Sequence, residues 1–347
     1  MKRELPVVRC NDIQYMLMYA LPLQAIRAES CTTPWYMQNY IQYWGCLSER
    51  GLILAFKDAV SYLPPDLYQN DYFHLESIDL RTVSLKQDIC SYLKTEIDKG
   101  TYVIIFLNEN LLPNVFHDGK YFAHEYLVYG YNTENQKFKC IGLDKFRHMG
   151  FMEFDYEDIN QAFLSYIQTE FRPMLITFRT GDFFFNQKKE RYCLIPNFEK
   201  EIVLYKLKQF VSGHPIFQTN SSGSIRFYWG IGLWDGFRTY LEENRPSGLD
   251  YRHPFFFIDQ ALLIYQRLIY LLRNERIDGE NVIAENYQRL SELLVVMKNR
   301  YLKLCGIPED RIEFRELCDG IKKIISEIKG LEDNMIQFAV QNAEKCD

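Results

Sequence analysis

The chain has 347 residues, of which 47% are hydrophobic and 16% aromatic, and this composition excludes a disordered or low-complexity protein. The length favours two domains. A formal net charge of −6, with no basic stripe interleaved with aromatic residues, argues against nucleic acid as a partner.

Cysteine spacing and the apolar stretches bear on cofactor binding and on the cellular location of the protein. The nine cysteines form no CxxC pair, and the His, Asp and Glu residues have no metal-ligand spacing, so we expect neither a metal nor another cofactor. The start, MKRELPVVRCNDIQ, lacks the apolar core of a signal peptide. The most apolar stretch, 261–272, is interrupted by Gln266 and Arg267. We therefore expect a cytoplasmic protein with no membrane partner.

The first third of the chain predicts two helices, two strands and a third helix. The second helix begins with two cap-type threonines and the first-turn proline Pro34, and the third ends at the C-cap glycine Gly100. These elements are predicted at 12–27, 32–44, 51–56, 73–80 and 84–100.

The stretch after Gly100 predicts a β-meander. Its runs are β-branched or alternate between apolar and polar residues, and turn residues separate them. The strands are predicted at 101–108, 124–132, 137–144 and 150–154. Asp155 is the predicted N-cap of the helix that follows.

The second half of the chain predicts mainly helices. After a stretch at 171–185 that continues the sheet, apolar residues recur at three-and-four spacing in five segments. These segments are 197–213, 232–244, 254–274, 280–306 and 308–345. The sequence therefore predicts an α+β domain at 1–185 and a mainly helical domain at 186–347. The aromatic run at 255–257 is typical of core packing, and the alternative is a pocket for a long acyl chain.

Two cysteines stand immediately before predicted helices. In ESCTTPWYMQNYIQYWG, Cys31 precedes the first turn, where unpaired N–H groups and the helix dipole favour the nucleophilic thiolate. Cys10 also precedes a predicted helix, with Asn11 or Asp12 as its cap, and it is the rival nucleophile.

A histidine and an acid fall at adjoining strand ends. His124 opens one predicted strand and Asp144 ends its antiparallel neighbour, so we expect the hairpin to bring the two side chains into hydrogen-bond distance. His117 is close enough in sequence to compete with His124, and Asn132 is a weaker alternative to Asp144.

Together these motifs resemble a known family. A cysteine at the head of a helix that ends in Tyr43-Trp44-Gly45, then His-x-x-x-Val-x-Gly-Tyr from His124, then an acid after the next strand, resembles the C39-like branch of the papain-like cysteine peptidase superfamily. Within that branch the sequence looks most like the acyltransferases of the butirosin and closthioamide type, from bacterial natural-product clusters. By motif, the resemblance covers about the first half of the chain.

The resemblance implies a papain-like α+β fold and a catalytic triad. Cys31 would be the nucleophile, His124 the base that accepts its proton, and Asp144 the acid that orients the imidazole. Gln24, seven positions before Cys31, is the candidate oxyanion donor.

The resemblance also implies the reaction and its partners. An acyl group would pass from a carrier-protein thioester through an acyl-enzyme to a small amine or diamine, in nonribosomal biosynthesis, with phosphopantetheine present only as the carrier's arm. The candidate carrier contacts are the basic run at 188–191 and the Lys and Arg residues of the last helices. The alternatives are a peptidase or thioesterase on the same triad, or a catalytically inactive papain-like binding module.

Overall fold

A computed structural model describes residues 1–49, 51–57, 73–80, 88–116, 119–180, 184–185, 191–192, 198–213, 225–243 and 249–346. The protein is a mixed α+β structure with antiparallel sheets and C-terminal helices. The strands are β1 Lys2–Glu4, β2 Tyr43–Ser48, β3 Gly51–Phe56, β4 Phe73–Asp79, β5 Tyr102–Asn108, β6 Ala123–Asn132, β7 Lys137–Leu143, β8 Met149–Asp155, β9 Met174–Thr180, β10 Phe184–Phe185, β11 Arg191–Tyr192 and β12 Arg226–Trp229. The helices are α1 Leu17–Ile26, α2 Thr33–Gln38, α3 Ile89–Asp98, α4 Tyr156–Thr169, α5 Lys200–Ser212, α6 Leu233–Glu242, α7 His253–Asn274, α8 Glu280–Leu304 and α9 Ile312–Glu344.

The chain divides into two compact units. The first comprises Met1–Thr33 and Val60–Ile195, and the second comprises Pro34–Ala59 and Pro196–Asp347. This division differs from the predicted one at 185/186, because the N-terminal segment Pro34–Ala59 belongs to the C-terminal unit. The physical reason is strand pairing, since β2 pairs with β3 on one side and with β12 on the other.

The first unit is built on an antiparallel sheet with the order β4-β9-β5-β6-β7-β8. The predicted meander is confirmed as β5 to β8, and β1 pairs with the last residues of β6. The central strand β5 is buried along nearly its whole length, which explains its continuous apolar sequence. Helices α3 and α4 pack against β5, and α1 packs against β6 and β7.

The second unit combines the three-stranded sheet β12-β2-β3 with helices α5 to α9. Its core is aromatic: the Tyr43 ring lies 5.2 Å from that of Phe56 and 5.9 Å from that of Phe256, between ring centroids. Phe256 and Phe257 are fully buried, and Phe257 stacks on Trp234. The core-packing interpretation of the aromatic run is therefore confirmed for these two residues.

The predicted helix at 32–44 is wrong in its second half. Helix α2 ends at Gln38, and Tyr43-Trp44-Gly45 lies on β2, where burial alternates along the strand. The buried Arg267 donates hydrogen bonds to the carbonyl oxygens of Tyr36 and Asn39 at the end of α2. Pairing with two strands and this capping of the helix override the helical pattern of the sequence.

The predicted helix at 12–27 begins later than expected, with Met16 as the N-cap of α1. Cys10 therefore lies in a loop and not at the head of a helix.

Among the described residues, α7 is the one helix long and apolar enough to cross a membrane. Of its most apolar window, 67% is buried inside the protein. Helix α7 packs against α8 and α9, which is the arrangement of a core helix and is consistent with a soluble protein.

Candidate active site

The first strands of the meander bring His124 close to an acid that the sequence analysis did not select. His124 on β6 pairs with Leu107 on β5, and two residues later the chain reaches Glu109. The backbone N–H of Glu109 donates to the carbonyl oxygen of Phe122 at 2.9 Å. This bond continues the ladder past the end of β5 and places Glu109 beside His124.

The Glu109 carboxylate is almost fully buried, with 1% of its side chain exposed. Tyr126 Oη donates a hydrogen bond to Oε1 at 3.0 Å, and Arg147 Nη1 donates to Oε2 at 3.2 Å. His124 Nδ1 lies 3.8 Å from Oε1, just beyond hydrogen-bond distance. We call His124, Glu109, Tyr126 and Arg147 the His124 cluster.

The electrostatics of the cluster keep His124 neutral. Its Nδ1 is buried and has no hydrogen-bond partner among the residues that the structure describes. Burial, together with the positive charge of Arg147, lowers the pKa of His124 to about 4. A histidine in this state is unprotonated at neutral pH, as a general base must be.

Tyr126 is held in place by a glycine on the neighbouring strand. A Cβ at Gly142 would lie 2.3 Å from Cδ1 of Tyr126, so the ring occupies the space that any other residue would fill. The Phe154 ring contacts Tyr126 edge-on, with the centroids 5.5 Å apart. Burial and the Glu109 charge raise the pKa of Tyr126, which therefore remains a hydrogen-bond donor.

Asp144 organises a turn and does not contact His124. Its Oδ1 accepts hydrogen bonds from the backbone N–H groups of Phe146 at 2.8 Å and His148 at 2.9 Å. The structure places Glu109 and Glu125, and not Asp144, within 4 Å of His124 Nδ1, each at 3.8 Å, and of these two carboxylates that of Glu109 is the buried one. The expected His124–Asp144 hydrogen bond is therefore not formed, because the Asp144 carboxylate lies in the turn, where its Oδ1 accepts two backbone N–H groups.

The turn that Asp144 closes carries Arg147 to Glu109. Arg147 has a left-handed backbone conformation, with φ 62°. Its guanidinium carbon lies 4.5 Å from the ring centroid of Phe116 and 5.6 Å from that of Phe122. Both rings are about half exposed. Two phenylalanines and one carboxylate thus fix the position of this cation.

The predicted nucleophile is described only by its backbone. Cys31 lies in a short 3-10 turn, Ser30–Thr32, directly before α2. Its side chain lies outside the described part of the structure, and so does His117. The position of the Cys31 thiol stays a prediction.

The two upstream candidates, Gln24 and Cys10, bind each other. Gln24 Nε2 donates to the carbonyl oxygens of Cys10 and Ala20, at 2.8 and 2.9 Å, and its Oε1 accepts from the Cys10 N–H at 2.9 Å. Both amide hydrogens are used, which leaves none for an oxyanion. Burial, together with Asp12, raises the pKa of the Cys10 thiol to about 12, so this thiol is a poor nucleophile.

Asn132, the weaker alternative to Asp144, lies in the β6–β7 hairpin. Its Oδ1 accepts a hydrogen bond from the backbone N–H of Glu134, as expected of a turn residue.

Sequence reasoning missed Glu109 and Arg147, although one signal for Glu109 was present. An acid directly after a buried strand that pairs with the histidine's strand falls at the same sheet edge as the histidine. Arg147 gave no such signal, because its approach depends on a left-handed turn.

Comparisons with known proteins assign this chain to no family. No protein-family model matches the chain, and no curated protein matches its sequence. Within the described ranges, no three His, Cys, Asp or Glu side chains are grouped so that they could hold a metal ion.

Proposed function

We propose that this protein is a cysteine-dependent, amide-forming acyltransferase with a papain-like fold, acting in bacterial nonribosomal natural-product biosynthesis. The observation that carries the proposal is the approach, to 3.8 Å, of a neutral histidine with a buried Nδ1 and a buried carboxylate, where the histidine lies at the head of an antiparallel strand. The α+β architecture and the resemblance around His124 also support it, whereas Tyr43-Trp44-Gly45 does not end the helix after Cys31. Glu109 takes the role that the sequence assigned to Asp144.

The proposed chemistry begins with proton transfer from the Cys31 thiol to His124. Glu109 stabilises the resulting imidazolium, and the thiolate attacks the carbonyl carbon of a carrier-bound thioester. The backbone N–H of Cys31 is the proposed oxyanion donor. The carrier thiol leaves with the proton from His124. An amine then attacks the acyl-enzyme, His124 takes the amine's proton and returns it to Cys31, and an amide is released.

The proposal implies particular partners and a compartment. The acyl donor is an acyl or peptidyl carrier protein, whose phosphopantetheine arm carries the thioester, and the acceptor is a small amine or diamine. The enzyme has no cofactor of its own in this scheme. It would act in the cytoplasm, where carrier proteins are loaded.

Intact-mass spectrometry with an acyl-thioester mimic tests the nucleophile. We expect an acyl adduct on the wild type and on Cys10→Ala but none on Cys31→Ala, and we expect an added diamine to discharge the adduct as an amide. Discharge by water alone makes the protein a thioesterase or peptidase. Absence of any adduct favours an inactive binding module.

A pair of isosteric variants tests the orienting acid. Glu109→Gln removes the charge beside His124 and should slow acylation by about 100-fold or more. Asp144→Asn keeps the oxygen that accepts the two turn N–H groups, so its rate should stay close to that of the wild type. The reverse ranking of the two variants would return the role to Asp144.

A further inference from the structure

The His124–Glu109 pair is not closed. The 3.8 Å between Nδ1 and Oε1 is too long for a hydrogen bond, while Tyr126 and Arg147 bind one carboxylate oxygen each. Closing the pair requires Glu109 to move by about 1 Å. Arg147 opposes this movement because it holds Oε2.

Arg147 also opposes protonation of His124. Among the described residues, the charged groups that face the ring are Glu109 after β5, Glu125 on β6 and Arg147 from the β7–β8 turn. Arg147 neutralises the buried Glu109. An imidazolium formed during catalysis would lie 3.8 Å from the partly exposed Glu125 and 3.8 Å from the buried Glu109, whose charge Arg147 already balances.

Arg147 is partly exposed and has N–H donors that the hydrogen bond to Glu109 does not use. Its side chain is 39% exposed, and the hydrogen bond to Glu109 uses only one of its five N–H donors. The rings of Phe116 and Phe122 lie 4.5 and 5.6 Å from the guanidinium carbon, and among the described residues Glu109 is the one that accepts a hydrogen bond from it. A planar guanidinium held in this way matches a carboxylate or a phosphate.

We propose that Arg147 is an anion-sensing residue that activates the His124–Glu109 pair, and that the acyl donor carries a carboxylate or phosphate near the reacting carbonyl group. When this anion pairs with Arg147, the guanidinium leaves Glu109, and Oε1 accepts a hydrogen bond from Nδ1–H of His124. The proton that His124 gains comes from Cys31, so no further reactant is needed. This inference rests on the proposed function for the identity of the anion's carrier.

NMR titration of His124 tests the inference without any turnover. The protein is labelled at its six histidines, and His124→Gln assigns the signal. Acetate or inorganic phosphate should raise the pKa of His124 by about one, and sodium chloride at equal ionic strength should not. A response to phosphate alone assigns the anion as a phosphate, and a response to acetate alone assigns it as a carboxylate.

Variants distinguish a specific effect of Arg147 on the pKa of His124 from the effect of any nearby positive charge. Arg147→Gln should raise the pKa of His124 without any added anion and abolish the response to acetate and phosphate. Lys145→Gln removes a cation from the same turn that does not touch Glu109, and it should behave as the wild type. Arg147→Lys keeps the charge and should keep the pKa low.

Several outcomes would overturn the inference. They are equal shifts with chloride, no shift with either anion, or an equal effect of Lys145→Gln and Arg147→Gln. The wild-type arm needs no variant to fold. If the anion response is present but Cys31 is never acylated, the proposed function fails and the inference about Arg147 stands. If Cys31 is acylated but no anion response is seen, the inference about Arg147 fails and the proposed function stands.

Discussion

A buried acid in the second unit, Glu332, makes the stability of the folded protein depend on pH. Glu332 on α9 is fully buried, and its described hydrogen bonds come from two neutral donors, Trp234 Nε1 at 2.8 Å and Gln260 Nε2 at 3.2 Å. Burial raises the pKa of Glu332 from 4.5 to about 7. The folded protein thus holds a proton that the unfolded chain releases.

We predict that Glu332→Gln removes a pH dependence of stability. Because the folded protein binds the extra proton, Glu332 should lower the unfolding free energy by a few kcal/mol as pH rises from about 4.5 to 7, while the low pKa of His124 acts in the opposite direction. Urea unfolding of the wild type and of Glu332→Gln across this range isolates the Glu332 contribution, because the His124 contribution is common to both and cancels in their difference. Glu327→Gln, on the exposed face of the same helix, is the control and should retain the wild-type slope. Parallel slopes for Glu332→Gln and the wild type would contradict the prediction.

At residue level, the sequence predicted the strand that His124 opens but not the acid beside its ring. The strand start at 124 follows from local pattern, because turn residues and alternation mark β6. The choice between Glu109 and Asp144 depends on which of the two carboxylates binds the backbone of its own turn. Asp144 does so in the turn at 144–148. That turn depends on the left-handed conformation of Arg147, which the pattern of apolar residues does not predict.

At the scale of elements, two glycines paired across β7 and β8 give a matched test of how the strand holds the site. Gly142 pairs with Gly150, yet a Cβ at Gly142 would press into Tyr126 and one at Gly150 would meet nothing within 4 Å. We predict that Gly142→Ala costs about 1–3 kcal/mol of unfolding free energy and displaces Tyr126 from Glu109. Gly150→Ala should be neutral or slightly stabilising. Denaturant unfolding of both variants checks this, and equal losses would refute it.

The elements that the sequence predicted well are those with strong local signals. The meander, α4 after Asp155, and α5 ending at Gly213 lie within a few residues of their predicted places. The prediction of a helix over 32–44 was wrong in its second half because the aromatic residues there fit both a helical and a strand pattern. The pairing of β2 with the distant β12 selects the strand.

At the scale of the whole molecule, the division into units predicts which fragments fold. We expect residues 196–347 alone to lack a cooperative thermal transition, because the fragment has lost β2, β3 and the Tyr43 and Phe56 rings of its core. Joining residues 34–59 to its N-terminus through a flexible linker should restore the transition in circular dichroism. A scrambled 34–59 segment on the same linker is the control. A cooperative transition in the bare fragment would show that the hairpin is dispensable.

The pairing of β2 with β12 also has a consequence for the time course of synthesis. The ribosome makes β12 about 180 residues after β2, which takes on the order of ten seconds or more. During this interval the β2–β3 hairpin has one edge without its native strand, and apolar side chains such as Tyr43 and Phe56 lack their later partners. The nascent chain therefore exposes an aggregation-prone hairpin early. The yield of folded protein should depend on chaperones that bind this hairpin until translation ends.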